Sequence, residues 1–114
     1  MSLSEESISK ISKSKACLRA SVIKSLAHPS RILIVDALKQ QELCVCELTA
    51  VVGADISTVS KHLTILKAAG LIGVEKRGMN QYYHLKCKCI EDFFRCVDSI
   101  NTQNSFDLQA ACNC

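Results

Sequence analysis

The feature that most constrains the fold is the spacing of apolar residues, which changes twice along the chain. Up to Gly70, apolar residues recur every three or four positions, as is typical of amphipathic helices. Two short β-prone runs then flank "RGMN", a Gly-containing turn, and predict a hairpin. Helical spacing returns from Cys89. This order within 114 residues predicts one mainly α domain, residues 1–114, with a small β-hairpin.

Three helices are predicted before the turn at Gly53. The first carries apolar residues at helical spacing and stops at "AHPS", where His28 precedes a proline and Pro29 suits the first position of a new helix. "SRILIVDALK" is apolar nearly all round and predicts a buried central helix. A short third helix is predicted from about Cys44 to Val52, ending at Gly53.

A fourth helix is predicted in "ADISTVSKHLTILKAAG", capped by Asp55 or Ser57 and ended by Gly70. Its predicted inward face is apolar and consists of Val59, Leu63, Leu66 and Ala69. Its predicted outward face has short hydrogen-bonding groups and positive charge, and consists of Ser57, Thr58, Ser60, Lys61, His62, Thr64 and Lys67.

Two short helices joined by a glycine turn, the second with a polar and basic outer face, predict a helix-turn-helix that reads a major groove. The hairpin that follows carries Lys76 and Arg77 near its tip, which is the position of a wing. The sequence therefore predicts a winged helix-turn-helix that binds double-stranded DNA through the outward face, Lys76 and Arg77.

Composition limits the chemistry of the chain. The formal charge is only +3, so the distribution of charge matters more than its sum. No secretory leader and no membrane-spanning run is visible, which favours a cytoplasmic protein with reduced thiols and no membrane partner. Eight cysteines in such a protein favour metal or redox chemistry. Cys17 is expected to be a small core residue instead.

These motifs together resemble the ArsR/SmtB family of bacterial metal-sensing repressors. The resemblance covers about residues 20–100 and is most specific in "SLAHPSRILIVDAL", "ELCVCEL", "STVSKHLTILKAAGLI" and "EKRGMNQYYHL". It implies a homodimer that binds an operator and releases it when a metal or metalloid ion binds. It also implies that the last helix contributes a dimer interface made of Phe93, Phe94, Val97 and Ile100.

"ELCVCEL" is the first candidate metal site. Cys44 and Cys46 resemble the soft-metal pair of arsenite-responsive and of cadmium- or lead-responsive members, which implies As(III) or Sb(III), and otherwise Cd(II), Pb(II) or Zn(II), as effector. Thr49 stands where the arsenite type has a third cysteine, and Cys17 is the one candidate for an N-terminal ligand. On a regular helix Cys44 and Cys46 point about 200° apart, so convergence on one ion requires the first helical turn to open.

A second candidate cluster lies where the hairpin meets the last helix, and consists of Cys87, Cys89 and Cys96. Lys86 and Lys88 flank two of these thiols and are expected to favour thiolates. Cys112 and Cys114 form a further pair that could close over either cluster. They lie in the C-terminal segment 102–114, which is expected to be flexible, as is the Ser-rich segment 1–7.

Two other functions remain open on the same fold. One is a thiol redox or persulfide sensor, in which two cysteines form a disulfide. The other is a zinc-stabilised DNA-binding module without a sensing role. An enzyme with a small-molecule substrate is not expected, because the three histidines, His28, His62 and His84, are scattered over different elements.

Overall fold

The computed structural model describes residues 4–103, with the backbone alone for residues 6–11. These residues form five helices and three short strands in the predicted order, and the first of the strands was not predicted. They are α1 (Glu5–Leu26), α2 (Pro29–Gln40), β1 (Leu43–Cys44), α3 (Val45–Val52), α4 (Ile56–Ala68), β2 (Ile72–Arg77), β3 (Asn80–Leu85) and α5 (Ile90–Gln103). This arrangement is the predicted helix-turn-helix followed by a wing and a last helix.

The junction between α1 and α2 forms as the sequence predicts. His28 is extended, with φ −157° and ψ 130°, and Pro29 is the first residue of α2. The His28 ring caps α2, because its Nδ1 accepts the backbone N–H of Ser30 at 3.0 Å.

Helical backbone extends into both terminal segments that were expected to be flexible. Glu5 already belongs to α1, and α5 continues to Gln103. Helical hydrogen bonding extends into these polar stretches. Residues 1–3 and 104–114, and with them Cys112 and Cys114, lie outside the described residues.

Helix α2 is not buried all round. Ile34, Val35 and Leu38 are buried, whereas the side chains of Ile32 and Leu33 are 37% and 44% exposed. One face of α2 packs against α3, α4 and β3, and its other face lies open in the single chain.

The core lies where α2, α3, α4 and the sheet meet, and it is almost entirely aliphatic. Its buried members are Leu26, Ile34, Val35, Leu38, Leu43, Leu48, Val59, Leu63, Leu66, Leu71, Ile72, Leu85 and Ile90. The predicted inward face of α4 is confirmed, because Val59, Leu63 and Leu66 are buried and Ala69 packs against the same core. This core fixes α4 against α3.

The sheet has the strand order β1-β3-β2, with both pairings antiparallel. The predicted hairpin β2–β3 turns at Gly78, whose φ of +63° is readily adopted only by glycine. Strand β1 was not predicted, since two residues give no periodic signal. It places Leu43 opposite Tyr83 and Cys44 opposite Tyr82.

Within residues 4–103, no helix has the length and apolarity that crossing a bilayer requires.

Candidate nucleic-acid interface and thiol pairs

A three-residue turn joins α3 to α4 and sets the angle between them. Gly53 ends α3 in the left-handed region, with φ 75°, and its N–H donates to the Thr49 carbonyl at 2.9 Å. Asp55, not Ser57, caps α4: its carboxylate accepts the Thr58 N–H at 2.7 Å and the Ser57 hydroxyl at 3.0 Å. These bonds hold the pKa of Asp55 below its ordinary value, chiefly through Thr58.

Most of the predicted outward face of α4 is exposed. Its exposed members are Ser57, Thr58, Ser60, Lys61, Thr64 and Lys67. No salt bridge involves Lys61 or Lys67 within the described chain, so both charges remain available. We call this set the α4 face.

His62 does not belong to the α4 face, and the prediction that it points outward was wrong. It is only 9% exposed, its ring lies 4.5 Å from that of His28, and its Nδ1 lies 3.2 Å from Arg31 Nη1. Position 62 is three residues after Val59 and four before Leu66, so it falls on the apolar stripe of the helix. That spacing is the signal which could have placed it inside.

The two cations near the tip of the wing differ, because among the described residues Arg77 forms ion pairs and Lys76 forms none. Lys76 is exposed, whereas the Arg77 guanidinium forms ion pairs with Glu42 at 2.6 Å and with Glu75 at 3.0 Å. The guanidinium also lies 5.3 Å from the centre of the Tyr82 ring. Glu42 directly precedes β1, so Arg77 links the wing to the segment that carries Cys44; the sequence alone gave no sign of this contact.

The first thiol pair, Cys44 and Cys46, lies where β1 becomes α3. Cys44 is half-buried and is the N-cap of α3, with φ −84° and ψ 170°, and Cys46 is exposed in the first turn. The Cys44 N–H donates to Glu47 Oε1 at 3.1 Å. Hydrogen bonds from Cys44, first from its N–H, lower the pKa of Glu47. No hydrogen bond joins the two sulfurs among the bonds of residues 4–103.

The second thiol pair, Cys87 and Cys89, lies between β3 and α5 and is already closed. The two Sγ atoms are 3.4 Å apart. The hydrogen bond with Cys89, followed by burial, raises the pKa of the Cys87 thiol. The expectation that neighbouring lysines favour a thiolate does not hold for Cys87, whose pKa is raised and whose shift has no contribution from Lys86 or Lys88.

Within the part of the chain that the structure describes, a third ligand is not in place beside either thiol pair. Among residues 4–103, no group of three or more His, Cys, Asp or Glu side chains could hold an ion. Cys96 lies exposed on α5, and Thr49 uses its hydroxyl to donate to the Val45 carbonyl at 2.7 Å. Cys17 is exposed, so the expectation of a core position was wrong: among the described side chains of α1, only Ser25 and Leu26 are buried.

Helices α1 and α5 both expose apolar side chains. Leu18, Val22 and Ile23 of α1 and Phe93 of α5 line a groove of about 460 Å³ between the two helices, and Val97 and Ile100 are exposed further along α5. We call these six side chains the apolar face of α1 and α5. Phe94 differs from the other predicted interface residues, because it is half-buried and packs against the core of its own chain.

Comparison with known families and proteins gives consistent matches. The family described as "Bacterial regulatory protein, arsR family" matches residues 28–74. A transcriptional repressor SmtB homolog of Synechocystis is 38% identical over 76 residues, covering 67% of this chain and 58% of that protein. The arsenical resistance operon repressor of Staphylococcus aureus is 31% identical over 85 residues, covering 75% and 82%. The cadmium resistance regulatory protein CadC of Listeria innocua is 39% identical over 64 residues, covering 55% and 54%.

Solved structures match over a larger share of the chain. NolR from Sinorhizobium fredii superposes with a TM-score of 0.73 at 27% identity, covering 88% of this chain and 95% of that one. A homodimeric winged helix-turn-helix DNA-binding domain from Mycobacterium bovis gives a TM-score of 0.67 at 26% identity, covering 90% of each. Several matched relatives are longer proteins, since this chain spans 58% of the Synechocystis relative and 41% of a Mycobacterium tuberculosis regulator.

Proposed function

This chain belongs to the ArsR family of bacterial regulatory proteins, and on that premise we propose that it is a cytoplasmic, homodimeric repressor that releases its operator DNA when a thiophilic ion binds. The resemblance seen in the sequence is confirmed by the relatives, which include repressors named for arsenical and cadmium resistance. The matched relatives are transcriptional regulators, which agrees with the expectation that the chain is not an enzyme.

The DNA surface in this proposal is the α4 face together with the wing. The hydroxyls of Ser57, Thr58, Ser60 and Thr64 are short enough to reach phosphates and base edges when α4 enters a major groove. Lys61, Lys67 and Lys76 supply phosphate contacts. Arg77, which is paired with Glu42 and Glu75, remains a proposed DNA contact of the wing. His62 is left out of the DNA surface because it is buried.

The homodimer in this proposal forms through the apolar face of α1 and α5. Large apolar side chains from two helices lie open along one groove in the single chain. A second copy would remove them from water. The two α4 faces would then address two half-sites of one operator.

The single observation that carries the switch is the position of Cys44. The residue caps α3, pairs with Tyr82 of the wing and precedes Cys46 by two positions. Cys44 is extended and precedes α3, whereas Cys46 lies in its first turn, and we propose that this turn opens when both thiolates bind one ion. Because α3 braces α4 through the shared core, that opening would disturb the α4 face.

We propose As(III) or Sb(III) as the effector, with Cd(II), Pb(II) or Zn(II) as the other candidates. Thiolate donors suit the soft ions of this group. The proposal is supported by the names of relatives that respond to arsenicals and to cadmium. Cys87, Cys89 and Cys96 form the second candidate site.

The test uses a DNA duplex selected from a random-sequence pool by this chain at pH 7.5. The bound duplex is titrated with As(III), Sb(III), Cd(II), Pb(II), Zn(II) and hydrogen peroxide, and release is followed by fluorescence anisotropy. We expect release by As(III) or Sb(III) at the lowest concentration. Retention of the duplex with every ion would refute the proposed switch, and failure to select any duplex would refute DNA binding.

A thiol redox sensor is the second candidate function, and the 3.4 Å separation of the Cys87 and Cys89 sulfurs favours it. A peroxide would take two electrons from the pair, the two thiols would lose their protons, and one S–S bond would form. Release by peroxide, but by none of the ions, would support this function.

A further inference from the structure

We propose that Arg31, His28 and His62 form a proton-sensitive latch, which positions α4 for DNA and opens when His62 takes up a proton. The inference rests on the proposed function, because its output is DNA affinity. Arg31 and His62 act here as positioning residues and touch no DNA.

The latch joins three helices through one guanidinium. Arg31, in α2, donates its Nε–H to the backbone carbonyl of Ser25 in α1 at 2.6 Å. Its Nη1 lies 3.2 Å from Nδ1 of His62 in α4. Since arginine carries only donors, His62 Nδ1 must accept this bond, and the single ring proton of His62 then sits on Nε2.

His28 ties the latch to the start of α2. Its Nδ1 accepts the backbone N–H of Ser30 and caps α2. Its ring lies 4.5 Å from the ring of His62. A proton added to His62 Nδ1 would face the N–H donor of Arg31, so protonation of His62 replaces a hydrogen bond with repulsion.

Within the described residues, no negative charge compensates a proton on His62. The charged and titratable groups that act on His62 are His28, the N-cap residue before α2, and Arg31 in α2. Helix α1 contributes the uncharged Ser25, and no ion pair within the described chain brings a carboxylate from α3 or β2 to His62. Burial, then His28, then Arg31 lower the pKa of His62 below its ordinary value of 6.5.

The direction of the pH effect follows from this lowered pKa. The open state binds more protons than the latched state. The population of the latched state relative to the open state therefore decreases as pH falls below 6.5, until the lowered pKa of His62 is reached. Each pH unit in that window changes the equilibrium constant between the latched and the open state by up to about tenfold. General electrostatics predicts the opposite trend, because a more positive protein binds DNA more tightly in acid.

The experiment measures the dissociation constant of the selected duplex at pH 7.5 and at pH 5.5, at constant ionic strength, without metal ions. We expect the wild-type chain to bind about three- to tenfold more weakly at pH 5.5. His62→Asn keeps an acceptor near the position of Nδ1 but cannot be protonated there. Its dissociation constant at pH 5.5 should therefore be equal to or lower than its dissociation constant at pH 7.5. His84→Asn, on β3 and outside the latch, is the matched control and should keep the wild-type ratio.

Several results would overturn the latch. Wild-type binding that is unchanged or tighter at pH 5.5 would do so, and so would equal weakening of the wild type and of His62→Asn. If His62→Asn does not fold, hydrogen exchange of the wild-type chain decides, and equal protection of α4 relative to α2 at both pH values refutes the latch. A chain that responds to As(III) but not to pH refutes the latch alone, whereas a chain that selects no duplex refutes the proposed function as well.

Discussion

The two thiol pairs have the same spacing, Cys-x-Cys, and opposite geometry. Cys44 and Cys46 span the change from strand to helix and are not joined by a hydrogen bond, whereas Cys87 and Cys89 lie in a connection outside regular structure, with their sulfurs 3.4 Å apart. A closed pair can take an ion with little movement of the backbone. An open pair, such as Cys44 and Cys46, is expected to bind an ion only if the backbone around the two thiols changes.

The difference matters because binding and switching place different demands on a site. An ion shifts a conformational equilibrium only as far as it prefers one state over the other. At the second pair, the backbone would be nearly the same with and without the ion. Even tight binding of the ion there would therefore change DNA affinity little. At the first pair, the proposed opening of α3 would lower the affinity for the ion but would couple its binding to the α4 face.

The largest expected effect comes from exchanging the thiols of each pair for hydroxyls. Cys44→Ser or Cys46→Ser should raise the As(III) concentration needed for DNA release by at least about 100-fold, because a soft thiolate ligand is lost. Cys87→Ser or Cys89→Ser is the matched change at the closed pair and should leave release within about threefold of wild type. Anisotropy titration of the selected duplex measures both.

The reverse result would invert the comparison. If the Cys44 and Cys46 variants respond like wild type while the Cys87 and Cys89 variants do not, the closed pair is the sensor and Cys44 is a structural cap.

The next effect concerns the proposed subunit interface on α1 and α5. Val97→Glu places an unpaired charge in the apolar face of α1 and α5 and should raise the dimer dissociation constant by about 100-fold. Sedimentation velocity measures it, and Val51→Glu, an equally exposed valine on α3, is the control. A Val97→Glu chain that remains dimeric would show that the interface lies elsewhere.

Loss of ion binding at Cys87 and Cys89 when the dimer dissociates would indicate that the partner subunit supplies a ligand, such as its Cys96.

A smaller effect is expected at a DNA contact that belongs to neither pair. Lys61→Ala should reduce the slope of log affinity against log salt by about 0.9, the share of one phosphate contact. Lys13→Ala, an exposed lysine of α1, should leave the slope unchanged. The As(III) concentration for release should stay the same in both, because neither side chain touches a thiol. An unchanged slope for Lys61→Ala would place the DNA surface away from α4.

The smallest effect is expected at the link between the first pair and the wing. Glu42→Gln removes one of the two carboxylates on Arg77 and should tighten DNA binding by about twofold, as expected for an exposed ion pair. Glu91→Gln makes the same charge change beside Arg95 and should have no effect. Weaker binding by Glu42→Gln would show that the ion pair holds Arg77 in its working position.

Periodicity predicted most of the fold because helices, hairpin and caps are local. The turn residues Gly53 and Gly78, the cap at Asp55 and the start at Pro29 lie where the pattern placed them. Burial of individual side chains was less predictable. His62 was assigned to the outward face because of its polarity, although its position on the helix put it in the apolar stripe.

The sequence by itself determined the order of elements, the exposed face of α4 and the presence of two Cys-x-Cys pairs, because these depend on residue type and on spacing along one strand or helix. Only the tertiary structure decided which pair is closed, that Arg77 is bound by Glu42, and that Arg31 reaches both Ser25 and His62. Each of these contacts depends on where the packing of separate elements brings two side chains. Arg77 and Glu42 are 35 positions apart, and Arg31 and His62 are 31 apart. Periodicity within one element carries no information about such distances, which are set by how the core aligns one element against the next.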